Sequence, residues 1–502
     1  MTIAQILPLP PRLVAALTGS DARARAAAII AMCLAVALPV GALVGLLGAP
    51  VGIAAVMVLV VAYAMLRSLM IGLIVLVGVI LLLPFAALPV DVGFEPTLLD
   101  LAQGAVFFVW ISRVVAHKDR EFVTLSPTLG MLAFAMLAVF SFIAGLSHGD
   151  LTANILRHLV EILLSILLFL LTINTVRTPG QLRLVVTALV IAGAASATIG
   201  IVLYFLPEAW SIRILSMLSR LRYPSGAEAL RYIEDDPTGT LRAISTSIDP
   251  NVLGGALIFV TTIATAQLFS PRPVLPKPWL YVAVGLMGVC MILTFSRGSF
   301  FGLAAAIFCL ALLRYRRLLL IALVVLVTIY FLPFTQGYVD HYLSGLRGED
   351  LATQMRFGEY KDALILISRY PWFGVGFSGT PDVDTYLGVS NVYLLIAENM
   401  GLVGLTAFLA TVGTHLLAGI RALFSERTRE RISATTLGLY LAVIGAMAGG
   451  MLDHYLFNLV FPHASSLLWL VIGLGATSLH LDLAGEGSEA RGRPLLEELI
   501  AD

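Results

Sequence analysis

The sequence predicts an all-α, polytopic transmembrane helical bundle, and three observations carry that reading. Of 502 residues, 59% are hydrophobic and 12% charged, and the mean hydropathy is +0.96, far from the composition of a water-soluble domain. Apolar runs such as 26–47, 69–83 and 318–333 extend for most of a bilayer's hydrocarbon core, which takes about 20 helical residues to cross. The runs are unbroken rather than alternating. With no water to bond to, such a backbone satisfies its own N–H and C=O groups only as a helix.

Taken in order, the apolar windows place spans at 26–47, 51–66, 69–90, 97–116, 128–146, 155–175, 182–206, 251–269, 278–295, 299–313, 318–334, 391–420, 433–457 and 462–482, about fourteen in all. Residues 1–25 carry Arg12, Arg23 and Arg25 but no small-residue cleavage site after a short apolar core, so the first span is expected to stay in the membrane. The organisation that follows is an N-terminal transmembrane bundle (1–206), a first periplasmic loop (207–250), central spans (251–334), a second periplasmic loop (335–390), C-terminal spans (391–482) and a cytoplasmic tail (483–502). The three cysteines, Cys33, Cys290 and Cys309, lie inside apolar runs without C-x-x-C spacing and read as small core residues, not as metal ligands or a disulfide.

Charge sets the sides. With the N-terminus in the cytoplasm, that side also collects Arg67; Arg113, Lys118 and Arg120; Arg177 and Arg183; Arg272 and Lys277; Arg314, Arg316 and Arg317; Arg421, Arg427, Arg429 and Arg431; and Arg491 and Arg493. About 20 of the 31 basic residues then face inward, as the positive-inside bias expects of an inner-membrane type protein with both termini cytoplasmic. Both long loops fall outside. They hold Trp210, Tyr223, Tyr232, Tyr360, Tyr370 and Trp372, aromatics enough for folded caps lying on the membrane.

The outward side still carries Arg213, Arg220, Arg222, Arg231, Arg242, Arg297, Arg347, Arg356, Lys361 and Arg369. Cations there point to an anionic ligand such as a phosphate or diphosphate, whose oxygens the guanidinium fork matches. Snorkelling to headgroups, or pairing with acids such as Glu349 and Asp350, is the structural alternative for most of them. Arg297 stands apart, because Thr294-Phe295-Ser296-Arg297-Gly298-Ser299 separates two apolar runs with almost no loop, and a cation held at the membrane edge is costly unless it is used or paired.

Four short motifs follow one another. They are Asp249-Pro250-Asn251 at the head of a span, then Ser296-Arg297-Gly298. Next comes Arg356-Phe357-Gly358-Glu359-Tyr360 with Pro371-Trp372-Phe373-Gly374-Val375-Gly376, and last Asn391-Val392-Tyr393-Leu394 with Glu398-Asn399-Met400-Gly401-Leu402-Val403-Gly404. Over about residues 240–410 this order resembles the O-antigen ligase and Wzy-type polysaccharide polymerase family. The resemblance implies a GT-C-like bundle that transfers a glycan from undecaprenyl diphosphate to an acceptor hydroxyl on the periplasmic face, with no nucleotide sugar, metal or cofactor. Arg297 and Arg356 match the family's two essential arginines, which would hold the diphosphate and stabilise the charge growing on it as the anomeric C–O bond breaks. Arg242, Asp249, Asn251, Tyr360, Ser390, Asn391, Tyr393 and Asp453 are the expected substrate-binding residues around them.

One position departs from the family pattern. Ser390-Asn391 stands where the family usually has His-Asn, and a serine hydroxyl is no base near neutral pH. The proton-accepting role moves elsewhere or is lost. His454, beside Asp453 at the end of the penultimate span, and Glu398, about two turns below Asn391, are the candidates, with Asp249 and His341 weaker ones. Within the spans, His158 and Glu161 share a helix face and Asp100 opens another helix, reading either as a pathway or as an internal polar contact.

Three functions remain open at this point. The first is a glycosyltransferase with a lipid-linked donor, either a polymerase of exopolysaccharide or O-antigen repeat units or a ligase to lipid A core. The second is a transporter or flippase, which predicts charged groups strung along a midplane path, and the third a noncatalytic scaffold. The expected partners are the undecaprenyl-diphosphate-linked glycan, a glycan acceptor (lipid-linked chain or lipid A core), membrane lipids, and a chain-length regulator and flippase. Nucleic acid is not among them.

Overall fold

The computed structural model describes residues 59–485, apart from 89–92, 117–121, 149–150, 234–235, 332–335 and 380–387, together with isolated helical positions between Arg23 and Gly45. It separates into two units, 1–67 and 68–502. In the first, residues 59–67 are helical, and Arg67 donates to the Tyr63 hydroxyl one turn earlier at 3.0 and 3.1 Å. Most of the expected span at 26–47, the first half of that at 51–66, and the tail beyond 485 lie outside the described residues.

The second unit is a helical bundle. Its helices are α1 (Leu69–Leu82), α2 (Leu98–Val115), α3 (Thr128–Gly145), α4 (Ala153–Thr175), α5 (Pro179–Phe205), α6 (Glu208–Met217), α7 (Pro250–Leu268), α8 (Lys277–Leu293), α9 (Arg297–Leu313), α10 (Arg317–Phe331), α11 (Gln336–Arg347), α12 (Leu351–Arg369), α13 (Val392–Phe424), α14 (Ala434–Gly449) and α15 (Pro462–Ala484). Seven of them, α2, α3, α4, α5, α7, α13 and α15, are long and apolar enough to cross a membrane, and α1, α8, α9 and α14 are shorter apolar helices. This is the architecture of an all-α, multi-pass membrane protein.

Local chemistry sets where the helices begin. Thr97 and Asp100 form a capping box at the head of α2, and Thr178 with Gln181 forms another at α5, where Pro179 opens the first turn without needing its missing N–H. α7 starts on Asp249-Pro250 and α15 on Pro462 by the same logic. Depth in the bundle differs from helix to helix. In α7 83% of the apolar window is buried and in α15 78%, against 39% in α2, so the first two form the core and α2 turns residues such as Phe108 toward lipid. α15 packs on α4, α7 and α9 both pack on α14, and α13 packs on α3. A Cβ on Gly302 would stand 2.5 Å from the carbonyl oxygen of Gly445. Thus α9 and α14 touch backbone to backbone, the close approach that joins helices where lipid removes any hydrophobic drive between them.

Two expected spans end early, that over 69–90 at Leu82 and the penultimate one. The penultimate span, expected over 433–457, ends at Gly449, and 450–461 is a non-helical loop with one 3-10 turn at Tyr455–Phe457. Gly449-Gly450 weakens the helix there and Pro462 restarts it as α15. The stretch 335–390 is largely helical, holding α11 and α12. In 207–250 lie α6, short 3-10 turns and an antiparallel ribbon of β1 (Arg231–Tyr232) and β2 (Leu241–Arg242), Arg231 opposite Arg242.

Candidate active site

The N-termini of α7, α9 and α13, the helix α12 and the loop 450–461 meet at one end of the second unit. At α7, the Asp249 carboxylate accepts from the N–H groups of Asn251 (2.7 Å) and Val252 (3.0 Å). The Asn251 side-chain oxygen accepts from Arg242 at 2.8 Å, and Arg242 Nε donates to the Thr294 carbonyl at 2.9 Å. Arg242 thereby ties β2 to the turn before α9. Ile248 and Phe295, the residues just before Asp249 and Ser296, have φ of +60° and +51°. Left-handed backbone at such side chains costs of order 1–3 kcal/mol each and persists only where the surroundings impose it.

Ser296 caps α9, its hydroxyl accepting from the Ser299 N–H at 3.4 Å, and leaves Arg297 as the first helical residue. The guanidinium reaches α12. Its terminal nitrogens donate to both Asp350 carboxylate oxygens at 3.1 and 2.5 Å, and one of them also to the Thr353 hydroxyl at 3.3 Å. The pair is largely buried, with side chains 15% and 5% exposed. The Arg297 hydrogen bonds hold the Asp350 carboxyl well below the usual carboxylate range, against the opposing effect of burial. Asp350 is also the N-cap of α12, accepting from the Thr353 N–H.

Two turns along α12 the same helix carries Arg356, Glu359 and Tyr360. Glu359 accepts from the Ser390 N–H at 2.8 Å, and the Tyr360 hydroxyl donates to the Ser390 carbonyl at 3.3 Å. Burial pushes the Tyr360 phenol up, and the Arg356 charge pulls it part of the way back. Asn391 caps α13, its side-chain oxygen accepting from the N–H groups of Tyr393 and Leu394 at 3.0 Å each, while its amide donates to the Met451 carbonyl at 2.8 Å. The Val392 N–H bonds to the Gly450 carbonyl (2.8 Å) and the Tyr393 hydroxyl to that of Met447 (2.7 Å). The Asn391–Tyr393 segment is therefore what fixes the end of α14 and the loop after it.

That loop places Asp453 and His454. Asp453 is buried, and burial pushes its carboxyl up, opposed by the charges of His454 and Arg356 and reinforced by that of Asp249. Its oxygen accepts from the His454 backbone N–H at 2.8 Å. The His454 ring Nδ1 stands 3.5 Å from the same oxygen, an electrostatic contact rather than a hydrogen bond. His454 lines a cleft of about 290 Å³ with Glu359, Ser390, Asn399, Asn458 and, from α4, Ile162. Ser390, where the family has histidine, thus opens onto the same cleft as His454.

Glu398 has a different place. It is buried on α13, one oxygen accepting from the Gly388 N–H at 3.1 Å and the other without a partner among the described residues. Its neighbours belong to a backbone exchange. At Gly401 the helix is broken (φ +68°), and the freed groups pair with the earlier motif, Val375 N–H to the Glu398 carbonyl at 2.9 Å, Gly376 N–H to that of Asn399 at 3.0 Å, and Leu402 N–H to that of Pro371 at 2.7 Å. A Cβ on Gly401 would lie 2.2 Å from the Trp372 carbonyl. These two glycine-rich motifs are structural partners of each other.

Of the residues singled out from sequence, the bundle end thus unites Arg242, Asp249, Asn251, Arg297, Arg356, Tyr360, Ser390, Asn391, Tyr393, Asp453 and His454. Asp249 and Asn391 serve there as helix caps. Other outward arginines have local partners, Arg222 on Glu95 at 2.8 Å and Arg213 over the Trp210 ring at 5.6 Å. The His341 side chain lies outside the described residues. On α4, Glu161 takes Arg157 at 2.8 Å and His158 at 2.9 Å, with Asp100 on Arg157 at 3.1 Å, an internal polar cluster. Sequence reasoning passed over Glu359 and Asp350 as site residues. Glu359 lies three residues after Arg356 on one helix face, and Asp350 is a preferred N-cap residue type. Among the described residues no group of three His, Cys, Asp or Glu is arranged to hold a metal ion.

Fold and site together define a multi-pass α-helical membrane protein with arginines and carboxylates gathered at one end of the bundle, beside a cleft lined by Glu359, Ser390 and His454. Residues 282–409, from within α8 into α13, match the family model for O-antigen ligase. This supports membership of the O-antigen ligase/Wzy-type family, whose members are glycosyltransferase-like enzymes. The matched segment contains Arg297, Asp350, Arg356, Glu359, Ser390, Asn391 and Glu398, whereas Asp249 and His454 lie outside it. No curated protein matches the chain.

Proposed function

We propose that the protein transfers a glycan from undecaprenyl diphosphate to an acceptor sugar hydroxyl at the periplasmic face of the inner membrane, polymerising lipid-linked repeat units. The observation that carries this reading is helix α12, whose N-cap Asp350 takes Arg297, which bears Arg356 within electrostatic reach of Asp453, and whose Glu359 lines the cleft that holds Ser390 and His454. Guanidinium groups suit a diphosphate, and in a partly buried site they stabilise the charge that stays on it as the leaving group. The acceptor oxygen attacks the anomeric carbon, the bond from that carbon to the diphosphate oxygen breaks with its electron pair staying on the diphosphate, and the acceptor's proton passes to His454 Nε2. No covalent glycosyl-protein intermediate is needed.

The Ser390 departure motivates polymerase over ligase. The family model's description favours ligation to lipid A core as the second reading. The family match supports either over a transporter or flippase.

The experiment is the glycan profile of a deletion strain complemented with wild type, Arg297→Ala or Arg356→Ala. Both variants are expected to accumulate in the membrane and to lose polymer, leaving single lipid-linked repeats. Lipid-linked long chains with uncapped lipid A core indicate the ligase, and wild-type profiles from both variants overturn the mechanism.

A further inference from the structure

Arg297 presents a geometric conflict. Its two terminal nitrogens, the pair that grips a phosphate, are already on the two oxygens of Asp350, with Thr353 alongside. The ion pair is largely shielded from solvent, so water does not weaken it as it does an exposed pair. A diphosphate therefore cannot take the guanidinium fork while Asp350 keeps it. Asp350 in turn caps α12, the helix that carries Arg356.

We propose that the Asp350 carboxylate occupies the diphosphate's place on Arg297 in the donor-free protein, so that donor binding is an exchange of one anion for another and Asp350 sets the donor affinity. The inference rests on reading Arg297 as a diphosphate ligand. Apparent affinity falls by the fraction of time the guanidinium is engaged internally. The arrangement also keeps a buried cation neutralised between turnovers. Only a ligand with two or more anionic oxygens offers the guanidinium an equal replacement, which excludes a neutral polyprenol.

The variant that isolates this role is Asp350→Asn, since asparagine is as good an N-cap as aspartate and removes the charge without unseating α12. Glu349→Gln is the control. It deletes the same charge one residue away from a side chain that is 63% exposed and lies 3.9 Å from Arg347. Binding of undecaprenyl diphosphate to the full-length protein in nanodiscs is measured for wild type, both variants, Arg297→Lys, and Arg297→Lys with Asp350→Asn.

Asp350→Asn is expected to tighten binding on the order of tenfold, within the ordinary range of coupling between two competing ligands. Glu349→Gln should leave it within about twofold, and the gain from Asp350→Asn should shrink in the Arg297→Lys background, where the fork is gone. Unchanged or weaker binding by Asp350→Asn, or equal tightening by Glu349→Gln, overturns the exchange. Wild type that does not bind undecaprenyl diphosphate, or binds it equally well as Arg297→Lys, overturns instead the reading of Arg297 on which the exchange rests.

Discussion

Ser390 and His454 line one cleft although 64 positions of sequence separate them, and that proximity motivates the proposal that His454 takes the base role of the family's histidine. The Ser390 backbone is bonded to Glu359 and Tyr360, and on the proposed reading the imidazole comes from the facing loop. His454→Ala is expected to lower transfer by about 10²- to 10⁴-fold, the usual contribution of a general base. Adding Ser390→His to His454→Ala should then restore much of the polymer, measured as repeat-unit length on gels at matched protein levels. A double variant as inactive as His454→Ala, with both proteins accumulating normally, removes His454 from the mechanism.

Helix α13 shows why a motif can be diagnostic without being chemical. Its break at Gly401 would leave carbonyls of Glu398 and Asn399 unpaired, and the 371–376 turn supplies their donors. In a bundle surrounded by lipid, unpaired backbone groups cost several kcal/mol each, so the two segments fold together. Ser141 of α3 adds its hydroxyl to the Asn399 and Phe373 carbonyls. Gly401→Ala forces a Cβ into backbone at left-handed φ, and is expected to abolish accumulation of the protein in membranes, seen by immunoblot of membrane fractions. Normal accumulation would mean that α13 runs straight past Trp372.

For the molecule as a whole, the charge bias and the site make the same demand. On the proposed reading, the positive-inside bias puts the cation-rich helix ends in the cytoplasm and the cleft of Ser390 and His454 on the opposite face, where a lipid-linked donor's diphosphate would sit. Single cysteines in a Cys33→Ser, Cys290→Ser, Cys309→Ser background test this with a membrane-impermeant maleimide on intact spheroplasts. Glu228→Cys is expected to label and Arg316→Cys to label only after permeabilisation. The reverse pattern would place the site at the cytoplasmic face and end the proposed reaction.

Residue order alone sufficed for the all-α membrane class, for most helix starts, and for Arg297 and Arg356 as the residues to watch, because bilayer insertion and capping depend on local composition. Hydropathy overran the helix expected to 90, which ends at Leu82, and the one expected to 457, which ends at Gly449, since the apolar residues that follow each helix carry the pattern on. Asn391 and Asp249 serve as caps of α13 and α7, and Asn391 also reaches the Met451 carbonyl 60 positions away. What sequence could not reveal was the pairing of distant segments: Arg297 with Asp350, Ser390 with Glu359, and His454 in the cleft with Ser390. Those contacts arise when five chain segments, each explicable by itself, are packed at one end of the bundle, and no local rule encodes which side chains then come within bonding distance.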